Sequence, residues 1–167
     1  MRTTTASRIT ALTGIAVLAF SVSPVRAADV LATHRLSASL ATEIAVRSVA
    51  ECVKLTFVCT AAVVDSDGVV QALVRGDGAG IHTVQGAEDK AYTAVTYGRA
   101  GSATQKVYTD SPPSGVILKE PHLLPGDGGL PIKIGNEVVA ALGISGTPGK
   151  DEVCGHAALD AFAARLK

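Results

Sequence analysis

Leu36, Leu40 and Ile44 recur at four-residue intervals, and Ser48 and Cys52 continue the same row. This spacing predicts one face of a helix running from Thr33 to Glu51. The next stretch, LTFVCTAAVVDSDG, reads as an apolar strand ending in an Asp-Ser-Asp-Gly turn, and VVQALVRG follows as its partner. Two apolar runs separated by a short turn predict a hairpin. Beyond it, Val84, Ala87, Ala91, Ala94, Val95 and Gly98 share one sector of a helical wheel, which predicts a second helix ending near Gly98. Thr83 is its expected N-cap, and Glu88 and Asp89 fall early in the helix, where its dipole favours negative charge.

The pattern weakens between Arg99 and Gly129. A short helix over Ser102 to Tyr108 is followed by Pro112, Pro113, Pro121 and Pro125, which make the rest a long connection of the kind often used for function. Order returns at GGLPIKIGNEVVAALGISG. Pro131 to Ile134 and Glu137 to Ile144 flank Gly135-Asn136, a pair that tolerates positive φ, and so predict a second hairpin. A closing helix is expected over Glu152 to Leu166, capped by Asp151. Its apolar residues surround more than one face, as they must if it packs on both a sheet and another helix or subunit. The order α, β, β, α, loop, β, β, α predicts an α+β domain, an antiparallel sheet covered by helices.

The N-terminus changes the picture. MRTTTASRITALTGIAVLAFSVSPVRA carries Arg2 and Arg8, an apolar run from Ile9 to Val22, and a small-residue site ending at Ala27. This is the pattern of a secretory signal peptide over residues 1–27, too short and too punctuated for a membrane span. No cysteine sits at the expected cut, so nothing indicates a lipid anchor. The remaining residues 28–167 suit one domain in a secreted or periplasmic protein, with no membrane association after cleavage.

Removal of the leader takes three of the 15 basic side chains and none of the 15 acidic ones, leaving a mature chain near −3. Nucleic acid is therefore not an expected partner, since binding phosphates requires clustered Lys and Arg. Trp is absent and aromatics make up only 4% of the chain. A core built of Ala, Val and Gly buries little area per residue, which suggests stabilisation by homo-oligomerisation.

Cys52, Cys59 and Cys154 are an odd number in a chain read as exported, so one thiol is left over or bonds another subunit. Cys52 ends the first helix and Cys154 begins the closing one. If both helices cover the same sheet face the two can meet, making Cys52–Cys154 the preferred disulfide and Cys52–Cys59 the alternative.

Candidate chemistry centres on RGDGAGIHT, residues 75–83. A dinucleotide fingerprint fails there, because its sixth position is Ile81 and no acidic residue follows about 20 positions on. What remains is a flexible approach to a helix that carries His82, either a turn histidine or an iron ligand beside backbone that glycines let come close to a flat group. Lys90, Thr93 and Tyr97 share a flank with it, and Tyr92 and Glu88 share the other. His122, in Glu120-Pro121-His122-Leu123, is the second candidate ligand. His34 and His156 read as surface or structural residues, and Asp65, Asp67 and Asp77 as turn formers. No zinc motif or Gly-x-Ser-x-Gly elbow occurs, and Ser145 is a turn residue.

The segments VVDSDGVVQALVRGDGAGIHT, AEDKAYTAVTYG and GGLPIKIGNEVVAALGISGTPGKDEVCGHAALDA closely resemble the GlcG/HbpS family of haem-binding or haem-degrading domains. The resemblance implies a three-layer α/β/α sandwich of profilin-like type with a five-stranded antiparallel sheet, often assembled into homo-oligomers. The fifth strand would then lie in the proline-rich segment. It also implies haem as cofactor and, for secreted relatives, a part in iron handling or redox-stress sensing. The family's Lys-Ala-x-Thr-Ala segment matches Lys90-Ala91-Tyr92-Thr93-Ala94, placing a haem edge along Lys90 and Thr93, with Lys90 facing a propionate and Tyr97 stacking or hydrogen-bonding. His82 or His122 would ligate the iron. Two other readings stay open: a small-molecule enzyme or accessory factor using Asp65, Asp77, His82 and Tyr97 as acid/base groups, and a ligand-free oligomeric scaffold.

Overall fold

Alternation along the central strands decides the layering. In the computed structural model, which describes residues 31–111 and 120–167, β1 (Thr60–Asp65) and β4 (Glu137–Ser145) pair antiparallel in the middle of the sheet. Ala61, Val63, Ala140, Leu142 and Ile144 point into one apolar cluster with Leu40, Ile44, Cys52 and Cys154. Val64 and Ala141 point the other way, against Ala91 and Ala94. Period-2 alternation thus serves two cores, one on each face.

The hairpin partners β2 (Val70–Arg75) and β3 (Gly129–Ile134) complete the order β2-β1-β4-β3. Two helices, α1 (Ala38–Lys54) and α4 (Asp151–Asp160), cover the first face, and α2 (His82–Tyr97) covers the second. The fold is α+β, an α/β/α sandwich. Residues 32–167 form a compact unit. The expected signal peptide, residues 1–27, lies outside the described residues.

The sheet has four strands among the described residues, not the five expected. Within the proline-rich connection, residues 112–119 lie outside the described residues, and Glu120 to Gly128 form turns with no strand. Pro121 and Pro125 have no N–H to give a ladder. That stretch instead ties onto α2, with the Leu124 N–H donating to Thr93 Oγ1 at 2.8 Å.

Helix limits also differ from expectation. α1 begins at Ala38 because Ser37 caps it, its hydroxyl accepting from the Leu40 N–H. All five residues of the i+4 row, from Leu36 to Cys52, are nonetheless buried. The short helix after α2 is α3 (Gly101–Asp110). α4 ends at Asp160 rather than Leu166, and a 3-10 turn over Ala163–Arg165 follows. No helix among the described residues is long and apolar enough to cross a membrane.

Small residues set the spacing of the layers. A Cβ on Gly143 would overlap the Ala87 carbonyl oxygen and lie 2.6 Å from the Ala91 amide nitrogen. Gly129 faces the Lys90 carbonyl in the same way, also at 2.6 Å. The scarcity of large side chains in the sequence is therefore used here as close contact between helix backbone and sheet.

Candidate functional site

The glycine-rich approach to α2 is a hydrogen-bonded turn. Its first residue, Arg75, donates from Nε to the Ala79 carbonyl at 2.8 Å, and Nη2 reaches the same oxygen. The Gly76 N–H donates to Cys59 O, and the Ala79 N–H to Gly76 O. Thr83 is not the N-cap. The cap position is Ile81, which makes no side-chain cap bond, while Thr83 lies inside the first turn and is buried. Its hydroxyl donates to the Gly80 carbonyl at 2.6 Å and lies 2.7 Å from Thr60 Oγ1 in β1. It pins the helix start to the sheet. The exposed His82 ring folds back over Gly80, where a Cβ would come within 2.7 Å of its Cε1. Gly80 is the residue that makes room for the imidazole.

His82 stands on the rim of a cleft of about 460 Å³, bounded by α2, the Leu124–Asp127 stretch and the turn from Ser145 to Gly149. Lys90 and Asp151 also line it, Lys90 Nζ donating to Asp151 Oδ2 at 2.7 Å. Both groups are largely withdrawn from water, at 13% and 5% side-chain exposure. Asp151 Oδ1 accepts further bonds from the Thr147 N–H, at 2.8 Å, and the Thr147 hydroxyl. Lys90, expected to be open to a propionate, is thus occupied by Asp151. Asp151 is likewise not the cap of α4 but its first residue. The capping group is Asp127, whose Oδ2 and Oδ1 accept the N–H groups of Asp151 and Glu152 at 2.9 Å each. Sequence patterning missed Asp127 because the cap lies 24 residues before the helix it serves.

Thr93 does not line this cleft. It is fully buried, donates to the Asp89 carbonyl and accepts the Leu124 N–H, so it holds the cleft wall in position.

His122 belongs to a second, smaller cleft of about 270 Å³ on the other flank of α2, with Glu88, Asp89 and Tyr92. Its Nδ1 lies 3.2 Å from Asp89 Oδ1, and its ring meets Tyr92 edge-on at 6.1 Å. Its backbone is left-handed, at φ 66°, uncommon for a residue with a Cβ. The two candidate histidines therefore do not share a site.

A family described as "Haem degrading protein HbpS-like" matches residues 36–160. The chain belongs to the HbpS-like family. Among solved structures, HbpS is 30% identical, with 81% of this chain and 96% of HbpS covered at a TM-score of 0.74. A double mutant of Streptomyces reticuli HbpS gives 30% identity over 81% and 92%, at 0.73. The fold alone is shared with Klebsiella pneumoniae ORFY, at 21% identity over 83% and 98% and a TM-score of 0.75. The same holds for the PduOC–haem complex, at 21% over 77% and 95% and a TM-score of 0.67. None of the curated proteins matches the chain.

The other candidates in this HbpS-like chain lie apart. Tyr97 lines neither cleft; it packs edge-on against Tyr108 at 5.9 Å, with the Arg99 guanidinium over its ring. Burial, with the Tyr108 hydroxyl beside it, pushes its pKa up to about 12, so it holds its proton at neutral pH. Asp65 serves its turn, Oδ1 accepting the Asp67 and Val69 N–H groups at 2.9 Å. Asp77 is exposed on the glycine-rich turn. Asp65, Asp77, His82 and Tyr97 thus form no common acid/base constellation. His34 bonds Glu137 at 2.6 Å and His156 is exposed on α4.

The three cysteines are free thiols, all fully buried in the core between α1, α4 and the sheet. The Cys52–Cys154 disulfide preferred from the sequence and its Cys52–Cys59 alternative are, in this structure, neighbouring free thiols rather than bonds.

Proposed function

We propose that this HbpS-like protein binds haem in the cleft beside His82. The observation that carries the reading is the placement of an exposed imidazole on the rim of a 460 Å³ cleft, a volume within the ordinary range for small-molecule sites. Among the described residues the His82 ring has no hydrogen-bond partner, so a ring nitrogen is open to iron. Gly126, Gly146 and Gly149 line the walls and let backbone approach a flat group, and Leu124 and Pro125 add apolar surface. The donor type and the cleft size fit the group.

In this reading His82 would hold the iron through a ring nitrogen, and Leu124 and Pro125 would exclude water from the cleft beside it. Thr93 fixes that segment through the Leu124 N–H. Lys90 stays with Asp151 and holds the cleft floor rather than a propionate. Bound haem would supply a redox-active iron whose potential follows the residue that holds it and its surroundings. The family's description and the 30% identity to HbpS support haem as the ligand. The leader-like N-terminus supports export to the periplasm or beyond. Exposed Val46, Val53 and Leu55 on and just after α1 support assembly into a homo-oligomer. A role in iron handling or redox-stress sensing would follow from these together.

A second ligand assignment rests on one observation: Asp89 orients the His122 ring, as carboxylates commonly do for metal-ligating histidines. Haemin titration followed at the Soret band, with the wild type, His82→Ala and His122→Ala, separates the two. A saturable signal weakened at least tenfold by His82→Ala alone is expected. Loss only in His122→Ala moves the ligand to the smaller cleft, and absence of any saturable signal in the wild type leaves the scaffold reading.

A further inference from the structure

Three thiols from three segments meet in the core: Cys52 in α1, Cys59 just before β1 and Cys154 in α4. All are 0% exposed. Cys52 is the hub: the Cys59 thiol beside it, then burial and the neighbouring Cys154 thiol, push its pKa up. The chain between Cys52 and Cys59 is itself fixed, with the Leu55 and Phe57 N–H groups bonded back to the Cys52 carbonyl at 3.0 and 3.1 Å. Cys59 is held on its other side by the Gly76 N–H at 2.9 Å. Cys154 touches the Thr147 hydroxyl, the group that also bonds Asp151 behind the cleft floor.

We propose that Cys52 is a shared thiol that forms a disulfide with either Cys59 or Cys154, so that the oxidised core holds one disulfide and one thiol poised to exchange with it. The inference stands apart from haem binding. Oxidation joins Cys52 Sγ to one partner sulfur; the two thiols lose two electrons and two protons, which a small disulfide such as oxidised glutathione takes up as two thiols. Exchange then needs no oxidant. The Cys59 sulfur attacks Cys52 Sγ, the Cys52–Cys154 bond breaks, and the Cys154 sulfur leaves with the electron pair and takes up the proton that Cys59 gave up. Loop closure weights the two linkages, because tying α1 to α4 closes a far longer loop than tying Cys52 to Cys59 and restrains the unfolded chain more.

The test is to refold the reduced full chain in glutathione buffers of rising oxidised fraction, quench with acid, alkylate and map the peptides. Two linkages are expected in separate molecules, Cys52–Cys59 and Cys52–Cys154, each with one alkylated thiol per chain. Oxidised protein moved from pH 7 to pH 9 without oxidant should change the ratio of the two while keeping one free thiol. Cys52→Ser should lose every intramolecular disulfide, and Cys59→Ser and Cys154→Ser should each retain the other pair. A Cys59–Cys154 bond in the wild type, a single linkage that never redistributes, or three free thiols in the fully oxidised buffer would overturn the proposal. The wild-type map decides even where a variant fails to fold.

Discussion

Lys90 on α2 and Asp151 at the start of α4 meet through a 2.7 Å bond that spans the sandwich at the floor of the larger cleft. The helices lie on opposite faces of the sheet, so this contact is made past the start of β3 and the end of β4, where the Asp127 stretch and the Thr147 turn close around it. Asp151 is held from three directions, by Lys90, by Thr147 and by the bond from its own N–H to Asp127. The cleft floor is therefore a preformed polar network.

Breaking that pair on one side leaves a charge that is buried and unmatched. Lys90→Met should cost about 3–5 kcal/mol in urea unfolding. The double variant Lys90→Met with Asp151→Asn should recover part of the loss. A double-variant loss equal to the sum of the losses in Lys90→Met and Asp151→Asn would mean that the pairing itself contributes nothing.

Gly143 and Gly126 should respond oppositely to the same change. Gly143→Ala places a methyl group against the Ala87 carbonyl and the Ala91 amide, in a layer with no slack, and should destabilise by about 1–3 kcal/mol or more. Gly126→Ala meets no atom of the described residues within 4 Å and has no positive φ, so its melting temperature should stay near that of the wild type. Thermal unfolding of the two variants side by side checks the assignment of close packing to α2 and β4.

Asp127→Ala removes both acceptors that satisfy the first N–H groups of α4. A cost of about 0.5–2 kcal/mol is expected. Because the same carboxylate anchors the cleft wall, amide exchange at Asp151 and Glu152 should quicken with it. Unchanged exchange at those two amides would contradict the capping role.

Glu51 sets an acid limit. The Lys54 ammonium beside it, with the Arg47 guanidinium, holds its carboxyl below the ordinary value of 4.5. A depressed pKa contributes stability that is present above the unfolded-state value and disappears as pH falls through the folded one. Urea midpoints should therefore fall as pH drops below about 4.5, and the gap between the wild type and Glu51→Gln should narrow over the same range. Parallel midpoint curves would show that Glu51 does not contribute to the acid transition.

The sequence alone determined the elements and the character of their contact. The i+4 row from Leu36 to Cys52 announced the buried face of α1, and the small face of Ala87, Ala91 and Ala94 announced close packing of α2, because periodicity and side-chain size act locally. The same local logic identified both hairpins and the turn duty of Asp65. It also singled out His82 and Lys90, which the fold places on one cleft.

Only the tertiary structure decided what those side chains meet. Lys90 lies 61 residues from the Asp151 that occupies it, and Asp127 caps a helix that begins 24 residues later. His82 and His122 looked equivalent as ligands, yet packing sends them to different flanks of α2, one open and one tied to Asp89. The convergence of Cys59 with Cys52 and Cys154 likewise depends on α1 and α4 covering one face of the sheet. Hydrogen bonds and ion pairs are short-range in space but indifferent to distance along the chain, so these partners are fixed only when the layers close.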